Sequence, residues 1–316
     1  MNETYDIAIV GATGSVGREI LQILEQRKFP INNLYLLASE KSKGSKIEFD
    51  NKEIIVDDLS NFDFSKTQIS LFSPGSTVSS KFAPLAAEKG SLVIDNTSYF
   101  RMHNDVPLIV PEVNAEVLDE YFEKNNRKNI IANPNCSTIQ MLVALKPLHD
   151  KAIINRIVVS TYQSVSGAGK KGMDELFNQT QNIYANKPVE KKNFTKQIAF
   201  NAIPHIDSFL ENGNTKEEEK MINETKKILD PAIQVSATCV RVPVFVGHAE
   251  SINIEFDSPL NEKEVHEILL KSEGVSVVDH RKDEGYATPV EIAGEDKVYV
   301  SRIRKDDSID NGINLW

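Results

Sequence analysis

Cysteine is scarce in this sequence, because Cys136 and Cys239 are the only two among 316 residues. Two cysteines cannot build the disulfide framework on which small secreted domains depend. Long apolar runs are missing as well, since no segment approaches the roughly 20 apolar residues of a membrane-spanning helix. The acidic start, Met1–Asp6, lacks the charged and apolar regions of a signal peptide. We therefore expect a cytoplasmic protein with reduced thiols and no membrane partner.

Positive charge is also in deficit, with 36 lysines and arginines against 46 acidic residues and a formal net charge of -10. Nucleic acid attracts a basic face, so it is not an expected partner. Small phosphorylated molecules are not excluded, because they need only a local basic pocket. Hydrophobic residues make up 40% and charged residues 26% of the chain. These proportions are ordinary for a folded protein, and the length suffices for two domains with separate cores.

Short apolar segments alternate with helical patterns in the first part of the chain. Continuous apolar strands separated by helices are typical of a parallel sheet covered on both faces. The predicted strands are Tyr5–Val10, Leu34–Leu37, Ile54–Val56, Ile69–Phe72, Leu92–Ile94, Leu108–Val110 and Ile130–Ala132. The predicted helices are Val16–Phe29, Val78–Glu88 and Asn114–Lys124. We assign residues 1–133 to an α/β doubly wound domain.

The pattern changes after residue 133, where the strand-like runs become longer and more alternating. The predicted strands are Arg156–Gln163, Ile233–Val242, Glu250–Phe256 and Val298–Ile303. The predicted helices are Lys170–Tyr184, Lys216–Leu229 and Asn261–Lys271. We expect residues 134–316 to form an α+β domain on a mixed, largely antiparallel sheet.

A glycine-rich loop joins the first predicted strand to the first predicted helix. It consists of Gly11, Ala12, Thr13, Gly14, Ser15, Val16 and Gly17. Glycines let the backbone approach a pyrophosphate, and the start of a helix offers unpaired N–H groups. The spacing G-x-x-G-x-x-G differs from the commoner G-x-G-x-x-G, and a turn that merely needs glycine is the alternative. The position of the loop after the first strand favours dinucleotide binding.

The residues after the second strand bear on the choice between NAD and NADP. An acidic side chain there binds a ribose 2′-hydroxyl, whereas basic and hydroxyl side chains accept a 2′-phosphate. Glu40 favours NAD. The residues that favour NADP are Ser39, Lys41, Ser42 and Lys43. The segment leans towards NADP without deciding it, and a solvated surface loop is the alternative.

Cys136 lies in the segment Asn133–Thr138, directly before an apolar pattern with helical spacing. Asn135 or Ser137 can cap that helix, which places Cys136 at its N-terminus. The helix dipole favours a thiolate there. A thiolate beside a nucleotide loop can add to an aldehyde, after which hydride passes to nicotinamide and a thioester forms. A lone cysteine is more often a small buried hydrophobe, and we expect this of Cys239, inside a strand-like run.

Six ordered motifs span nearly the whole chain. They are Gly11–Gly17, Leu37–Gly44, Asp95–Arg101, Asn133–Thr138, Thr161–Gly169 and Arg241–His248. Together they resemble the aspartate-semialdehyde dehydrogenase family. The resemblance implies a Rossmann-type NADP-binding domain, a catalytic and dimerisation domain, and a homodimer. It implies NADPH-dependent reductive dephosphorylation of L-aspartyl 4-phosphate to L-aspartate 4-semialdehyde, with release of phosphate, in lysine (diaminopimelate), threonine and methionine biosynthesis.

The resemblance also implies roles for individual residues. The catalytic residues would be Cys136 as thioester nucleophile, His248 as general acid/base and Gln163 as the residue that orients the substrate. The substrate would be bound by Arg241 at its carboxylate, Glu217 at its amino group, Arg101 and Lys220 at its phosphate, and Asn135. The cofactor contacts would be Thr13–Val16, Lys41, Ser42, Ser166 and Gly167. Without the resemblance, Glu217 and Lys220 would be a surface pair on one helix face. No metal site is expected.

Two features depart from the family pattern. Lys41 stands where the family usually has arginine, and lysine lacks the planar fork that grips a 2′-phosphate. The sequence ends at Trp316, whereas family members continue into a C-terminal helix that returns to the nucleotide domain. Because this helix is absent, we expect weaker NADP binding and lower stability.

Two other functions are open on the sequence alone. An N-acyl-glutamyl-phosphate reductase performs the same chemistry on a longer, acylated substrate. Glu217 and Arg241 disfavour it, because a free amino group and a carboxylate require opposite charges around a short pocket. A non-catalytic NADP-binding protein is the other alternative, motivated by the missing C-terminal helix.

Overall fold

The computed structural model describes residues 4–124 and 127–316. The chain divides into two compact units, Met1–Pro134 and Asn135–Trp316. The acidic start of the chain, for which no signal peptide is predicted, lies partly outside the described residues. Among the described helices, none has the length and apolar character needed to cross a membrane.

The first unit contains a seven-stranded sheet. Its strands are β1 (Tyr5–Val10), β2 (Ile31–Ala38), β3 (Lys46–Phe49), β4 (Lys52–Asp58), β5 (Ile69–Phe72), β6 (Leu92–Asp95) and β7 (Ile130–Ala132). Their order across the sheet is β3-β4-β2-β1-β5-β6-β7, and among these strands the edge strand β3 alone pairs antiparallel. The helices are α1 (Ser15–Gln26), α2 (Ser76–Glu88), α3 (Pro111–Asn114) and α4 (Val117–Glu123). The predicted doubly wound, Rossmann-type architecture is confirmed.

The central strand β1 shows why the apolar runs of this unit are continuous. It lies between β2 and β5, and Ile7, Ala8, Ile9 and Val10 are each at most 1% exposed. A strand with neighbours on both sides and layers on both faces has no solvent-facing positions, so alternation is lost.

Two predictions for the first unit are wrong in detail. Leu108–Val110 is not a separate strand, because Leu108 forms only an isolated bridge with Ala132. Pro111 then starts α3, as expected for proline at the first position of a helix. The predicted helix Asn114–Lys124 is divided between α3 and α4.

The second unit is built on a mixed five-stranded sheet. The strands of this unit are β8 (Ile154–Gln163), β9 (Gln234–Arg241), β10 (Ala249–Phe256), β11 (Val275–Val277), β12 (Val298–Val300), β13 (Arg304–Lys305) and β14 (Gly312–Leu315). The order of the main sheet is β13-β14-β10-β8-β9, in which β8 and β9 are parallel and the other neighbours antiparallel. The helices are α5 (Cys136–His149), α6 (Gly169–Tyr184), α7 (Lys216–Ile228), α8 (Glu262–Lys271) and α9 (Pro289–Ile292). The predicted mixed, largely antiparallel sheet is confirmed.

The last predicted strand, Val298–Ile303, is wrong in its length. It ends at Val300 as β12, which pairs with β11 in a separate two-stranded parallel sheet. The main sheet is extended instead by β14, which pairs with β10. Gly312 and Asn314 belong to residue types that are depleted in strands, so β14 has no continuous apolar run from which it could be recognised.

Candidate active site

Cys136 is the first residue of α5, and its side chain is exposed. The preceding Asn135 caps this helix, because its Oδ1 accepts the N–H groups of Ser137 and Thr138 at 3.0 and 3.3 Å. The predicted helix start is therefore confirmed. The sulfur lies at the positive end of the helix dipole, which favours a thiolate.

Asn135 is also held by two buried glutamates of α7. Its backbone N–H donates to Glu224 Oε2 at 2.6 Å, and its Nδ2 donates to Glu217 Oε1 at 2.9 Å. The residue that precedes Cys136 is thereby fixed to a second helix. Sequence reasoning missed Glu224, although it lies seven residues after Glu217 and hence on the same helix face.

Glu217 is a charged carboxylate in a buried position. It accepts from Gln163 Nε2 at 3.0 Å and from Lys220 Nζ at 3.1 Å, in addition to Asn135. Burial would raise its pKa, but the charge of Lys220 and the three hydrogen bonds outweigh burial and hold the pKa below its usual value. Lys220 also donates to Asp207 at 3.0 Å. The predicted pair on one helix face is thus part of a wider network.

His248 is oriented by the turn after β8. The backbone N–H of Ser164 donates to His248 Nδ1 at 3.1 Å, so the neutral ring carries its proton on Nε2. Burial, and then the positive charge of Arg241, lower the pKa of His248 to about 4. The ring is therefore neutral throughout the ordinary working range of an enzyme.

Arg241 ends β9 directly beside Gln163 in the parallel register of β8 and β9. It is 8% exposed, and its Nη1 donates to the carbonyl of Ser164 at 2.8 Å. Burial lowers the pKa of Arg241, while the negative charges of Glu217 and Cys136 act in the opposite direction. Both groups therefore lie within electrostatic range of the guanidinium.

Gly167 leaves room for these side chains. A Cβ at this position would lie 2.9 Å from Arg241 Nη1 and 3.7 Å from the His248 ring. Its neighbour Ser166 forms a hydroxyl contact of 2.9 Å with Ser164. The second unit thus brings together nine of the predicted site residues. They are Asn135, Cys136, Gln163, Ser166, Gly167, Glu217, Lys220, Arg241 and His248.

Arg101, the remaining predicted phosphate ligand, belongs to the first unit. Arg101 is 8% exposed. Its guanidinium donates to the carbonyl oxygens of Asn133 at 2.9 Å and Asn96 at 3.1 Å. These residues follow β7 and β6, so Arg101 links the carboxyl ends of two neighbouring strands. Carboxyl ends are the binding edge of an open parallel sheet.

The glycine-rich loop fits a bound dinucleotide. Gly11 has φ of +89°, and a Cβ there would lie 2.9 Å from the backbone of Ser73. A Cβ on Gly17 would lie 2.4 Å from the carbonyl oxygen of Gly11. Gly14 is the N-cap of α1 and has no side chain to cap it. Ser15 and Val16 are exposed residues of the first helical turn, where N–H groups have no partner within the helix and can bind a phosphate.

The loop after β2 holds the residues that bear on cofactor choice. Glu40–Ser42 form a short 3-10 helix that starts from Ser39. Ser39, Glu40 and Lys41 are exposed and Ser42 is partly buried. Both the acidic and the basic side chains can thus reach a ligand, so the fold does not select between NAD and NADP.

Cys239 differs from Cys136 in its exposure and in the element that holds it. It lies inside β9, is 0% exposed, and its sulfur contacts Met221 Sδ at 3.7 Å. Burial raises the pKa of its thiol to about 12. The prediction that Cys239 is a buried core residue is confirmed.

Comparison with known proteins identifies the family. Two protein-family models match the chain. Residues 6–121 match the family described as semialdehyde dehydrogenase, NAD binding domain. Residues 145–316 match the family described as semialdehyde dehydrogenase, dimerisation domain. Aspartate-semialdehyde dehydrogenase 2 of Vibrio cholerae is 51% identical over 318 residues, which cover 100% of this chain and 92% of that protein. Aspartate-semialdehyde dehydrogenase of Rickettsia bellii is 50% identical over 316 residues, with the same coverage.

A solved structure agrees with these sequence matches. The crystal structure of aspartate semialdehyde dehydrogenase II complexed with ASA from Vibrio cholerae superposes with a TM-score of 0.95 at 50% identity, and covers 100% of this chain and 92% of that one. The chain therefore belongs to the aspartate-semialdehyde dehydrogenase family, as an NAD(P)-binding oxidoreductase of aspartate-family amino-acid biosynthesis with aspartate-semialdehyde dehydrogenase activity.

Proposed function

We propose that the enzyme works through a thioester on Cys136, with L-aspartyl 4-phosphate as substrate and NADPH as reductant. The observation that supports this most directly is the exposed thiol at the start of α5, in a unit that also holds a neutral His248 and a buried Arg241. A nucleophile, a proton donor and a carboxylate clamp are the groups that this reaction requires.

The Cys136 thiolate attacks the acyl carbon of the substrate. The bond from that carbon to the phosphate oxygen breaks, and phosphate leaves with the bonding pair. When bound, NADPH supplies the hydride that reduces the thioester carbonyl. The Nε2–H of His248 donates to the oxyanion that forms and stabilises it. The carbon–sulfur bond then breaks to release the aldehyde and return the thiolate.

Substrate recognition follows from the opposite charges of Glu217 and Arg241. The carboxylate of Glu217 suits the α-amino group, and the planar guanidinium of Arg241 suits the α-carboxylate. Gln163 orients the reacting carbonyl beside them, with Asn135 holding Glu217. Lys220 provides positive charge for the phosphate, and the family resemblance assigns the same role to Arg101.

For the cofactor, we favour NADP over NAD. Lys41, Ser39 and Ser42 in the exposed loop after β2 suit a 2′-phosphate, with Ser166 and Gly167 as further contacts. Lysine grips a phosphate less firmly than arginine, so Lys41→Arg should lower the KM for NADPH. A ratio of kcat/KM for NADPH to that for NADH below one in the wild type would contradict the preference.

For the assembly, we propose a homodimer formed through the second unit. Residues 145–316 match a dimerisation domain, and a groove in this unit carries the exposed aromatic residues Phe177, Tyr184 and Phe245. Exposed aromatic clusters of this kind mark protein interfaces. Light scattering should give a dimer for the wild type and a smaller species for Tyr184→Asp.

The cytoplasmic location stays a prediction.

The decisive experiment is phosphate-dependent NADPH formation from L-aspartate 4-semialdehyde. Cys136→Ala should lower kcat by roughly 1,000-fold or more, because no other group can form the thioester. The matched control, Cys239→Ala, should keep its activity. Equal rates for Cys136→Ala and the wild type would overturn the mechanism. A higher kcat/KM for an N-acyl-glutamate semialdehyde would favour the reductase alternative.

A further inference from the structure

Glu250 is a buried glutamate that the proposed reaction does not use. It is the second residue of β10 and 5% exposed, and its Oε1 accepts a hydrogen bond from Gln140 Nε2 at 2.7 Å. Within the described part of the chain, its Oε2 has no hydrogen-bond partner. A charged carboxylate would be costly in this position, so the acid is neutral. In agreement, burial raises the pKa of Glu250 to about 8, against the smaller opposing effect of Gln140.

Glu250 lines a cavity of about 110 Å³ in the second unit. Besides Glu250, the residues with titratable side chains around this cavity are His248 on the same segment and Lys297 and Tyr299 from the β12 segment. Helices α5 and α9 contribute only uncharged residues to the lining. The lining of the cavity therefore includes both Glu250 and His248 of the candidate active site.

The hydrogen bond of Glu250 joins the two elements that bear the reacting groups. Gln140 follows Cys136 by four residues, so both lie on one face of α5. Glu250 follows His248 by two residues at the start of β10. On its other side, His248 is held by the Ser164 N–H at 3.1 Å. The ring is thus fixed to the turn after β8 by one hydrogen bond, while β10, the strand that follows His248, is fixed to α5 by another.

We propose that Glu250 is a positioning residue that, through Gln140, sets the distance between His248 and Cys136. This inference rests on the roles proposed for those two residues. The chemistry required of position 250 is a neutral hydrogen-bond acceptor of glutamate size. Glutamine meets that requirement because its amide oxygen accepts a hydrogen bond, whereas leucine fills the same space without an acceptor.

The test compares Glu250→Gln, Glu250→Leu and Gln140→Leu in the phosphate-dependent assay at pH 7. Glu250→Leu and Gln140→Leu should each lower kcat by about tenfold, because a small displacement of a catalytic group slows the chemical step. Both should leave the KM for L-aspartate 4-semialdehyde within twofold, since substrate binding is assigned to other residues. Glu250→Gln should keep kcat within twofold. The double variant should be no slower than either leucine variant, because all three lack the same bond.

A purely structural role predicts a different result. Gln179→Leu removes another buried glutamine–glutamate hydrogen bond, that of Gln179 Nε2 with Glu175 Oε1 at 3.0 Å on α6. This control should lower the melting temperature and leave kcat unchanged. If Glu250→Leu does not fold, Gln140→Leu decides the matter, because Gln140 is only partly buried.

The outcomes separate this inference from the proposed function. Leucine variants with wild-type kcat, measured where Cys136→Ala is inactive, would overturn the positioning role and leave the mechanism standing. A Glu250→Gln variant as slow as Glu250→Leu would also overturn it, since the acceptor would then not suffice. A wild type without phosphate-dependent activity would overturn both.

Discussion

The second unit contains two glutamates that are equally buried and yet differ in charge. Glu217 is 6% exposed and Glu250 is 5% exposed. Glu217 accepts three hydrogen bonds, one of them from the ammonium of Lys220, and its pKa is lowered. Glu250 accepts one hydrogen bond from an uncharged amide, and its pKa rises to about 8. Burial is the largest influence in both, so the partners decide the charge.

The difference matches the use proposed for each residue. A charged carboxylate can bind the amino group of an aspartyl substrate, whereas a neutral acid can only accept or donate a hydrogen bond. Lys220 is held by Glu217 at 3.1 Å and by Asp207 at 3.0 Å, so the cation that keeps Glu217 charged is itself fixed. Near Glu250, the direct hydrogen-bond partner is Gln140, which brings no charge.

The largest effect should follow from removing the charge of Glu217. Glu217→Gln should lower kcat/KM for L-aspartate 4-semialdehyde by about 100-fold, because the substrate ammonium and Lys220 both lose a buried counter-charge. The same substitution at Glu250 should be nearly neutral at pH 7. Steady-state kinetics of both variants measure the contrast. Similar losses at the two positions would remove the distinction, and Glu219→Gln on the same helix serves as the control.

Removing the cation should make Glu217 behave like Glu250. In Lys220→Met, burial is no longer opposed by the ammonium, so the pKa of Glu217 should rise. The charged form would then be lost as the pH falls from neutrality, and the KM for the aldehyde should increase about tenfold at the acid end of the profile. The measurement is KM against pH for the variant and the wild type. Parallel profiles would show that Lys220 does not control the charge.

The neutral acid at position 250 should leave a signature in stability. Its pKa in the folded state, about 8, lies above the ordinary value of 4.5, so the folded protein binds the extra proton between these values. Wild-type stability therefore falls, relative to Glu250→Gln, as the pH rises from 4.5 to 8, by up to about 1.4 kcal/mol per unit.

Melting temperatures of the wild type and Glu250→Gln between pH 5 and 9 test this prediction. The melting temperature of the glutamine variant should rise relative to that of the wild type with each pH unit up to pH 8. Above pH 8 the difference between the two melting temperatures should stay constant. A gap that is the same at every pH would mean that Glu250 is already ionised. Glu175→Gln, which replaces another buried glutamate, is the matched control.

The contrast between the glutamates marks the limit of what the sequence predicts. The start of α5 at Cys136 follows from local residues, because Asn135 caps the helix through N–H groups two and three residues away. The apolar strands of the first unit are equally local patterns. By contrast, the Asn135–Glu224 and Gln140–Glu250 hydrogen bonds join residues 89 and 110 positions apart. No periodicity in the sequence indicates which distant groups will meet.

The resemblance to the family supplied part of what local patterns could not. From the sequence alone, Glu217 and Lys220 are predicted to be a surface pair on one helix face. The structure shows that Gln163, from another element, donates a hydrogen bond to Glu217. The missed strand β14 has a similar cause, since Gly312 and Asn314 do not favour a strand by themselves and the segment is extended by its pairing with β10. The opposite error occurs at Leu108–Val110, where an apolar run predicted to be a strand forms only one isolated bridge.

The smallest effect should come from Cys239, which lies close enough to Glu217 for the charge of that carboxylate to affect it. Its pKa of about 12 results first from burial, and the negative charges of Glu217 and Glu218 add to the rise. Cys239→Ala removes one small apolar group, so it should cost about 1 kcal/mol of stability and change kcat less than twofold. Thiol titration should find one reactive cysteine per folded wild-type chain and a second only after unfolding. A large loss of activity in Cys239→Ala would show that packing around the two glutamates, and not their charges, controls the site.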